Sequence, residues 1–228
     1  MTRGVRRLLY GELDPYAGFD PASVPEAKLE TWWPESALAL ERLISDCRPR
    51  LAVEVGSWLG WSASILARAM REREDVFSEL ELVCVDTWLG SAEMVSRQTP
   101  ENRAFLHRKH GLPQVYWHFL ANMKREGLAE IVTPYAQTSR AAAQVFAGMG
   151  LRFDLIYLDA AHDFETVFED LFAWAGLLKP SAILAGDDFD PVSDPGVVEA
   201  VQLFADRAVR LDGRRLELTT EGRTWRLR

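Results

Sequence analysis

Leu51-Ala52-Val53-Glu54-Val55-Gly56-Ser57-Trp58-Leu59-Gly60-Trp61-Ser62 is the stretch that decides the fold. Its first five residues form an apolar run of strand length. Gly56 and Gly60 then let the chain turn sharply, and Ser62 opens a helical pattern to about Arg73 with Ile65, Leu66, Ala69 and Met70 inward. A strand, a glycine turn and a helix in succession build a parallel α/β sheet and leave backbone amides facing a ligand at the turn. A dinucleotide fingerprint, Gly-x-Gly-x-x-Gly, is not met, because Trp58 and Trp61 stand at its second and third glycine positions. A pyrophosphate would have to share the helix N-terminus with two indoles. A nucleoside carrying no phosphate would not.

Working outward, strands and helices alternate. Upstream, Pro34 stands at a helix first turn, and Ala37, Leu38, Leu40, Leu43 and Ile44 form a stripe to about Cys47. Downstream, strands are predicted at Leu80 to Asp86, Ile131 to Thr133, Phe153 to Leu158 and Ser181 to Ala185. Helices are predicted from Ser139 to about Met149, from Thr166 to about Leu178 (stopped by Lys179-Pro180) and from Gly196 to Arg207. Three tail strands, Ala208 to Leu211, Arg215 to Thr219 and Arg223 to Leu227, are joined by the hairpin signals Asp212-Gly213 and Glu221-Gly222. The expected fold is a single Rossmann-like, doubly wound α/β domain. Its mostly parallel seven-stranded sheet has an antiparallel C-terminal edge strand and helices on both faces.

Two segments stand outside that alternation. Residues 1–33 form an arm without period 2 or 3.6, with Tyr16, Phe19, Trp32 and Trp33 among its prolines, ahead of a domain at 34–228. The arm could pack on its own domain, over a site or on a second subunit, so a homo-oligomer is open. Residues 89–118 are too long for a plain connection, with a helix expected around Ala104 to His110. They read equally as a lid over the ligand crevice and as a surface insertion.

Bulk properties narrow the partners. A net charge of −8 argues against nucleic acid, whose binding needs a cationic surface, and against an anionic membrane. No run approaches the ~18–20 apolar residues of a membrane span, and no signal-peptide core follows the N-terminus. Cys47 and Cys84 have no metal or redox spacing, which fits a reducing, cytoplasmic setting. The expected partner is a small molecule.

Asp86 ends the second strand, where a carboxylate can accept both hydroxyls of a ribose or, alternatively, cap the following loop. Trp88 could stack on adenine or join the core. Here the residues resemble a known family. Glu-Val-Gly-Ser-Trp-Leu-Gly-Trp-Ser-Ala at 54–63 is similar to the first motif of the catechol O-methyltransferase-like group of class I S-adenosylmethionine-dependent methyltransferases, and Val-Cys-Val-Asp-Thr-Trp-Leu-Gly-Ser at 83–91 resembles the second. The resemblance covers roughly residues 50 to 205. It implies that Glu54, Gly56, Ser57, Gly60 and Ser62 hold the methionine part of S-adenosylmethionine and that Asp86 binds its ribose. Trp58, Thr87, Trp88, Ser139 and Asp159 complete the expected cofactor-contacting set.

Two acidic motifs follow at strand ends, Leu158-Asp159-Ala160-Ala161-His162 and Gly186-Asp187-Asp188-Phe189-Asp190. Neighbouring parallel strands would bring Asp159, Asp187 and Asp188 to one edge. There they would repel one another unless protonated or bound to a hard cation, Mg²⁺ by default. The alternative is that they are solvated or helix-capping residues. Catechol-type enzymes hold Mg²⁺ with such a set, and sugar O-methyltransferases of macrolide and aminocoumarin pathways and the proteins named cephalosporin hydroxylases resemble it too. They imply metal ligands at Asp159, Asp187 and Asp188. The family's Asp-x-x-Lys is Asp159-x-x-His162 here, and His162 is chemically suited to be the catalytic base beside Asp159. The expected activity is Mg²⁺-dependent methyl transfer to a hydroxyl of a sugar, polyketide-like diol or catechol. The alternatives are a metal-independent methyltransferase, a catalytically silent cofactor-binding protein and a nicotinamide oxidoreductase.

Overall fold

The structure is a computed structural model that describes residues 4–25, 36–73, 80–91, 106, 108–207 and 218–228. β1 (Leu51–Val55), α3 (Trp61–Arg71) and β2 (Glu81–Asp86) realise the opening unit, preceded by α1 (Val5–Tyr10) and α2 (Ser36–Cys47). They are followed by α4 (Val115–Arg125), β3 (Val132–Ala136), α5 (Ser139–Gly148), β4 (Phe153–Leu158), α6 (Phe164–Ala175), β5 (Leu178–Gly186) and α7 (Pro195–Arg207). The hairpin of β6 (Leu218–Glu221) and β7 (Thr224–Leu227) closes the chain. The sheet order is β3-β2-β1-β4-β5-β7-β6. β1 to β5 pair in parallel, and β7 runs antiparallel to both β5 and β6. The expected seven-stranded architecture is present.

Two cores explain why the strands read as continuous apolar runs. One face of the sheet packs Val53, Val55, Ile156 and Leu184 against α5, α6 and α7. The other packs Ala52, Leu82, Cys84 and Tyr157 against α2, α3 and α4. Strand order reverses between β1 and β4, since β2 lies to one side of β1 and β4 to the other. That reversal leaves a crevice outside the carboxyl ends of β1 and β4, the place where open α/β sheets bind ligands.

Several local expectations need correction. Residues 115–125 are helical, and the 89–118 segment therefore ends in α4. Leu120, Met123 and Phe119 are fully buried there, a stripe that the charged and aromatic composition of the segment obscures. At its other described end, Lys109 and Leu112 form an isolated β-bridge, so the helix expected to reach His110 does not extend that far. β3 continues through Pro134, which is tolerated because β3 is an edge strand and can forgo one N–H. β5 begins at Leu178 and passes through Lys179-Pro180, where α6 was expected to stop, so the helix ends earlier, at Ala175. Trp32, Trp33, Pro34, Arg103, Ala104 and His107, and the strand expected over 208–211, lie outside the described residues.

The arm is not wholly irregular. Glu81 caps α1, its two carboxylate oxygens each accepting from a backbone amide, Val5 and Arg6, at 2.6 Å. Lys124 and Arg125 at the end of α4 donate to the carbonyls of Phe19 and Pro21 at 2.7 and 2.6 Å. The described part of the arm, residues 4–25, thus packs on its own domain.

Gly186 ends β5 where a Cβ would lie 2.3 Å from the Leu158 carbonyl oxygen and 2.5 Å from the Trp225 ring. Gly186→Ala is expected to lower the Tm by about 5 °C or more through overpacking, measured by thermal unfolding. An unchanged Tm would show that β4, β5 and β7 do not meet this closely.

Candidate functional site

The glycine turn is built by close approach. A Cβ on Gly56 would sit 1.9 Å from the Asp159 carbonyl oxygen, and the residue has φ +94, so only glycine lets the β1 turn lie against the end of β4. Gly56 N–H donates to Val85 at 2.8 Å and Asp159 N–H to Val55 at 2.8 Å, which stitches the ends of β1, β2 and β4 into one rim. Gly60 faces Phe119 and Met123 of α4, and its φ of +91 is a backbone angle that disfavours any side chain there.

Asp86 holds this turn. One carboxylate oxygen accepts from Trp58 N–H at 2.8 Å and the other from Trp88 N–H at 2.7 Å. Both tryptophans have left-handed backbone, φ +46 and +52, a conformation that costs about 1–3 kcal/mol in a non-glycine residue. Asp86 therefore does cap the loop. The Ser57 and Thr87 amides also face this carboxylate, so the turn is gathered around it. Thr87 accepts from Leu89 N–H at the same rim, at 3.3 Å.

Two members of the expected cofactor set are placed elsewhere. The left-handed turn sends Trp88 into the core, 2 % exposed, edge-on to Tyr116 and tilted on Phe119. Its indole N–H donates to the Trp58 carbonyl at 2.8 Å, so it is not available to stack on adenine. Ser139 donates to Asp170 at 2.5 Å and accepts from the Trp174 indole at 2.8 Å, which assigns its hydroxyl to the junction of α5 and α6. Trp58 and Trp61 pack partly buried on the α3–α4 side, leaving the space over Gly56 to the end of β4.

Glu54 is fully buried at the end of β1, and neither carboxylate oxygen has a well-formed hydrogen bond among the described residues, although the Ser57, Ser62 and Cys84 side chains lie within reach. Burial pushes it up to about 7, against the opposing influence of Ser57, Ser62 and Cys84 beside it. An unsatisfied carboxylate below the glycine turn is suited to an ammonium group arriving from the cleft.

The acidic residues come together. Leu158 pairs with Gly186, so Asp159 and Asp187 leave neighbouring strands side by side. Both line a cleft, together with Asp188, Val167 and Asp170 of α6, Val197 of α7 and Trp225 of β7. Burial first, then the Asp187 carboxylate, raises Asp159 well above the carboxylate range. Burial and Asp188 push Asp187 up to about 6. Asp187 Oδ1 is buried without a partner. Two adjacent buried carboxylates that raise one another fit a hard cation.

Asp188 is not equivalent to them. One oxygen lies 2.6 Å from Arg223 Nη2 and the other 3.0 Å from His162 Nε2. Burial opposes ionisation, but contacts with His162 and Arg223 outweigh it and hold Asp188 below the usual range. The expected metal trio is thus divided. Asp188 forms ion pairs with Arg223 and His162, whereas among the described residues Arg223 acts on Asp187 only from a longer distance. His162 is exposed at the rim, with Asp194 3.9 Å from its Nδ1. Sequence reasoning missed Arg223, Asp190 and Asp194. The acid-rich run Asp187-Asp188-Phe189-Asp190 required a cation, and the Glu221-Gly222 turn signalled the hairpin that supplies one.

Residues 53–189 match the family described as "Methyltransferase domain". No curated protein matches the chain. Among solved structures, an O-methyltransferase from Bacillus cereus in complex with SAH superposes with a TM-score of 0.56 at 17 % identity, covering 91 % of this chain and 86 % of the other. The O-methyltransferase TomG from Streptomyces achromogenes gives 0.56 at 20 %, covering 87 % and 81 %. The calicheamicin methyltransferase CalS11 gives 0.58 at 21 %, covering 85 % and 77 %. The fold is that of the class I methyltransferases. The chain belongs to the methyltransferase domain family, which removes the oxidoreductase alternative.

Because Glu54 carries a folded-state value near 7 against an ordinary 4.5, its protonation favours the fold below about pH 4.5, and that contribution is lost as pH rises through 7. Glu54→Gln should therefore raise the Tm of the ligand-free protein by about 3–6 °C at pH 8 and leave it nearly unchanged at pH 4. It should also weaken S-adenosylhomocysteine binding, read by calorimetry. An equal Tm shift at both pH values would contradict a buried, strained carboxylate.

Proposed function

We propose that the protein is an O-methyltransferase acting on a hydroxyl of a small molecule, with His162 as the base. The observation that carries this is the single rim on which the glycine turn, Asp86, the Asp159–Asp187 pair and the His162–Asp188 pair meet. S-adenosylmethionine, when bound, supplies a methyl group whose bond to sulfur breaks as its bond to the acceptor oxygen forms.

The chain's own residues supply position and proton transfer. Gly56 and Gly60 keep the turn open to the methionine portion, with Ser57 and Ser62 beside Glu54, and Asp86 receives the ribose hydroxyls while holding the turn in place. Asp159 ends the strand against that turn, close to the reacting atoms. His162 takes the acceptor's proton, and Asp188, 3.0 Å away, stabilises the imidazolium that forms. Holding oxygen, carbon and sulfur in line is the larger contribution, since orientation alone is worth several kcal/mol of barrier.

Asp159 and Asp187 are the residues that would hold a divalent cation, which would stabilise negative charge on the acceptor oxygen. Metal-independent transfer is the second reading. It is favoured by Arg223, which already balances Asp188. The net charge of −8 supports a small-molecule acceptor over nucleic acid or a membrane, and no helix among the described residues is long and apolar enough to cross a membrane.

His162→Ala is expected to lower kcat by about 10²–10⁴ with S-adenosylhomocysteine affinity retained. Asp187→Ala should likewise spare cofactor affinity while removing whatever activity excess EDTA removes and Mg²⁺ restores. Full turnover by His162→Ala would end the base assignment. Full turnover in EDTA would select the metal-independent reading.

A further inference from the structure

Arg223 lies in the hairpin turn immediately before β7, and its side chain is only 10 % exposed. Its guanidinium is shared among three carboxylates: Nη2 donates to Asp188 and to Asp194, both at 2.6 Å, and Nη1 donates to Asp190 at 2.9 Å. Ser193 Oγ also accepts from Nη1, at 2.8 Å. The same hairpin grips the loop through its backbone and through a second side chain. Phe189 N–H donates to the Arg223 carbonyl at 2.8 Å, and the Trp225 indole N–H donates to the Asp187 carbonyl at 3.0 Å. Asp188 has φ +62, so the chain turns at that residue between the two grips. Its carboxylate bridges Arg223 on one oxygen and His162 on the other.

We propose that Arg223 is a positioning residue: its guanidinium acts as a fixed internal cation for Asp188, locks that carboxylate onto His162, and removes it from the metal-binding set, so that a divalent cation at this rim is held by Asp159 and Asp187. The role in positioning His162 rests on the methyl-transfer reading above. Three features carry the inference. The planar guanidinium fork reaches several carboxylates at once, which a point charge on a flexible stem cannot do. Its charge is permanent, so the Asp188 carboxylate keeps a cationic partner 2.6 Å away whether or not a metal is present. The adjacent Asp187 has a buried oxygen without a partner while Asp188 has both oxygens engaged, so neighbouring aspartates serve different ends.

The test uses the full chain and Mn²⁺ as probe, followed by the electron paramagnetic resonance of the free ion, for the wild type and the variants Asp188→Asn, Arg223→Met and Arg223→Lys. The imidazole resonances of His162 are followed in parallel by ¹H–¹⁵N correlation. Asp188→Asn should keep Mn²⁺ binding, weakened no more than about fivefold by loss of the neighbouring negative charge. Arg223→Met should raise it about tenfold or more, because Asp188 and Asp194 lose their cation while lying with His162 in a geometry that could accept another. The His162 resonances should move in Asp188→Asn and Arg223→Met and return part of the way in Arg223→Lys. A loss of wild-type Mn²⁺ binding in Asp188→Asn, or His162 resonances unmoved in both Asp188→Asn and Arg223→Met, overturns the proposal. Should Arg223→Met fail to fold, Asp188→Asn and Arg223→Lys still decide it. Absence of S-adenosylhomocysteine binding by the wild type, measured by calorimetry, would instead sink the functional reading and leave the Mn²⁺ comparison standing.

Discussion

The contact between Gly56 and the carbonyl of Asp159 is the constraint from which the site follows. A backbone carbonyl occupies the place where any side chain at residue 56 would begin. The glycine turn after β1 is thereby pressed against the end of β4, and a cleft that might have been an open loop region becomes a rim with fixed spacing. On one side of that contact lie Asp86 and the turn it caps. On the other lie Asp159, Asp187 and His162. Chemistry that couples a nucleoside-bearing donor to a proton acceptor needs both sides at a set distance, and close packing of backbone on backbone is a stiff way to set it.

Much of this was legible in residue order. The strand, glycine turn and helix at 51–71 declare themselves by apolar run and periodicity, and parallel neighbours follow from the alternation of strands with helices. The convergence of Asp159 with Asp187 was also readable, because both follow strands that the alternation makes adjacent. Less was readable where tertiary contacts overrule local pattern. α4 hides its buried stripe of Phe119, Leu120 and Met123 behind Tyr116, Trp117 and His118. Trp88 looks like a ligand-facing aromatic from its place two residues after Asp86. A left-handed backbone sends it inward instead, and no spacing rule reports that angle. Ser139 begins a helix at the rim, yet its hydroxyl is drawn to Asp170 and the Trp174 indole.

Charge balance shows a similar limit. Three carboxylates on paper ask for a cation, and the residue types suggest that it comes from solution. In the folded chain part of the positive charge arrives from Arg223, 35 residues beyond Asp188, through the antiparallel hairpin at the far edge of the sheet. A buried aspartate without a counter-ion is costly, and one held by a guanidinium is oriented as well as neutralised. The hairpin is thus more than an edge cap. It fixes the loop that presents Asp187 and Asp188, and with that loop the imidazole beside them.

A crystal structure of the complex with S-adenosylhomocysteine tests the shared rim most directly. The account predicts density for the nucleoside along the glycine turn, with the ribose hydroxyls on Asp86, the amino group near Glu54 and the thioether sulfur on the Asp159 side. Density for the ligand anywhere else, with Asp86 left bound only to the Trp58 and Trp88 amides, would contradict it.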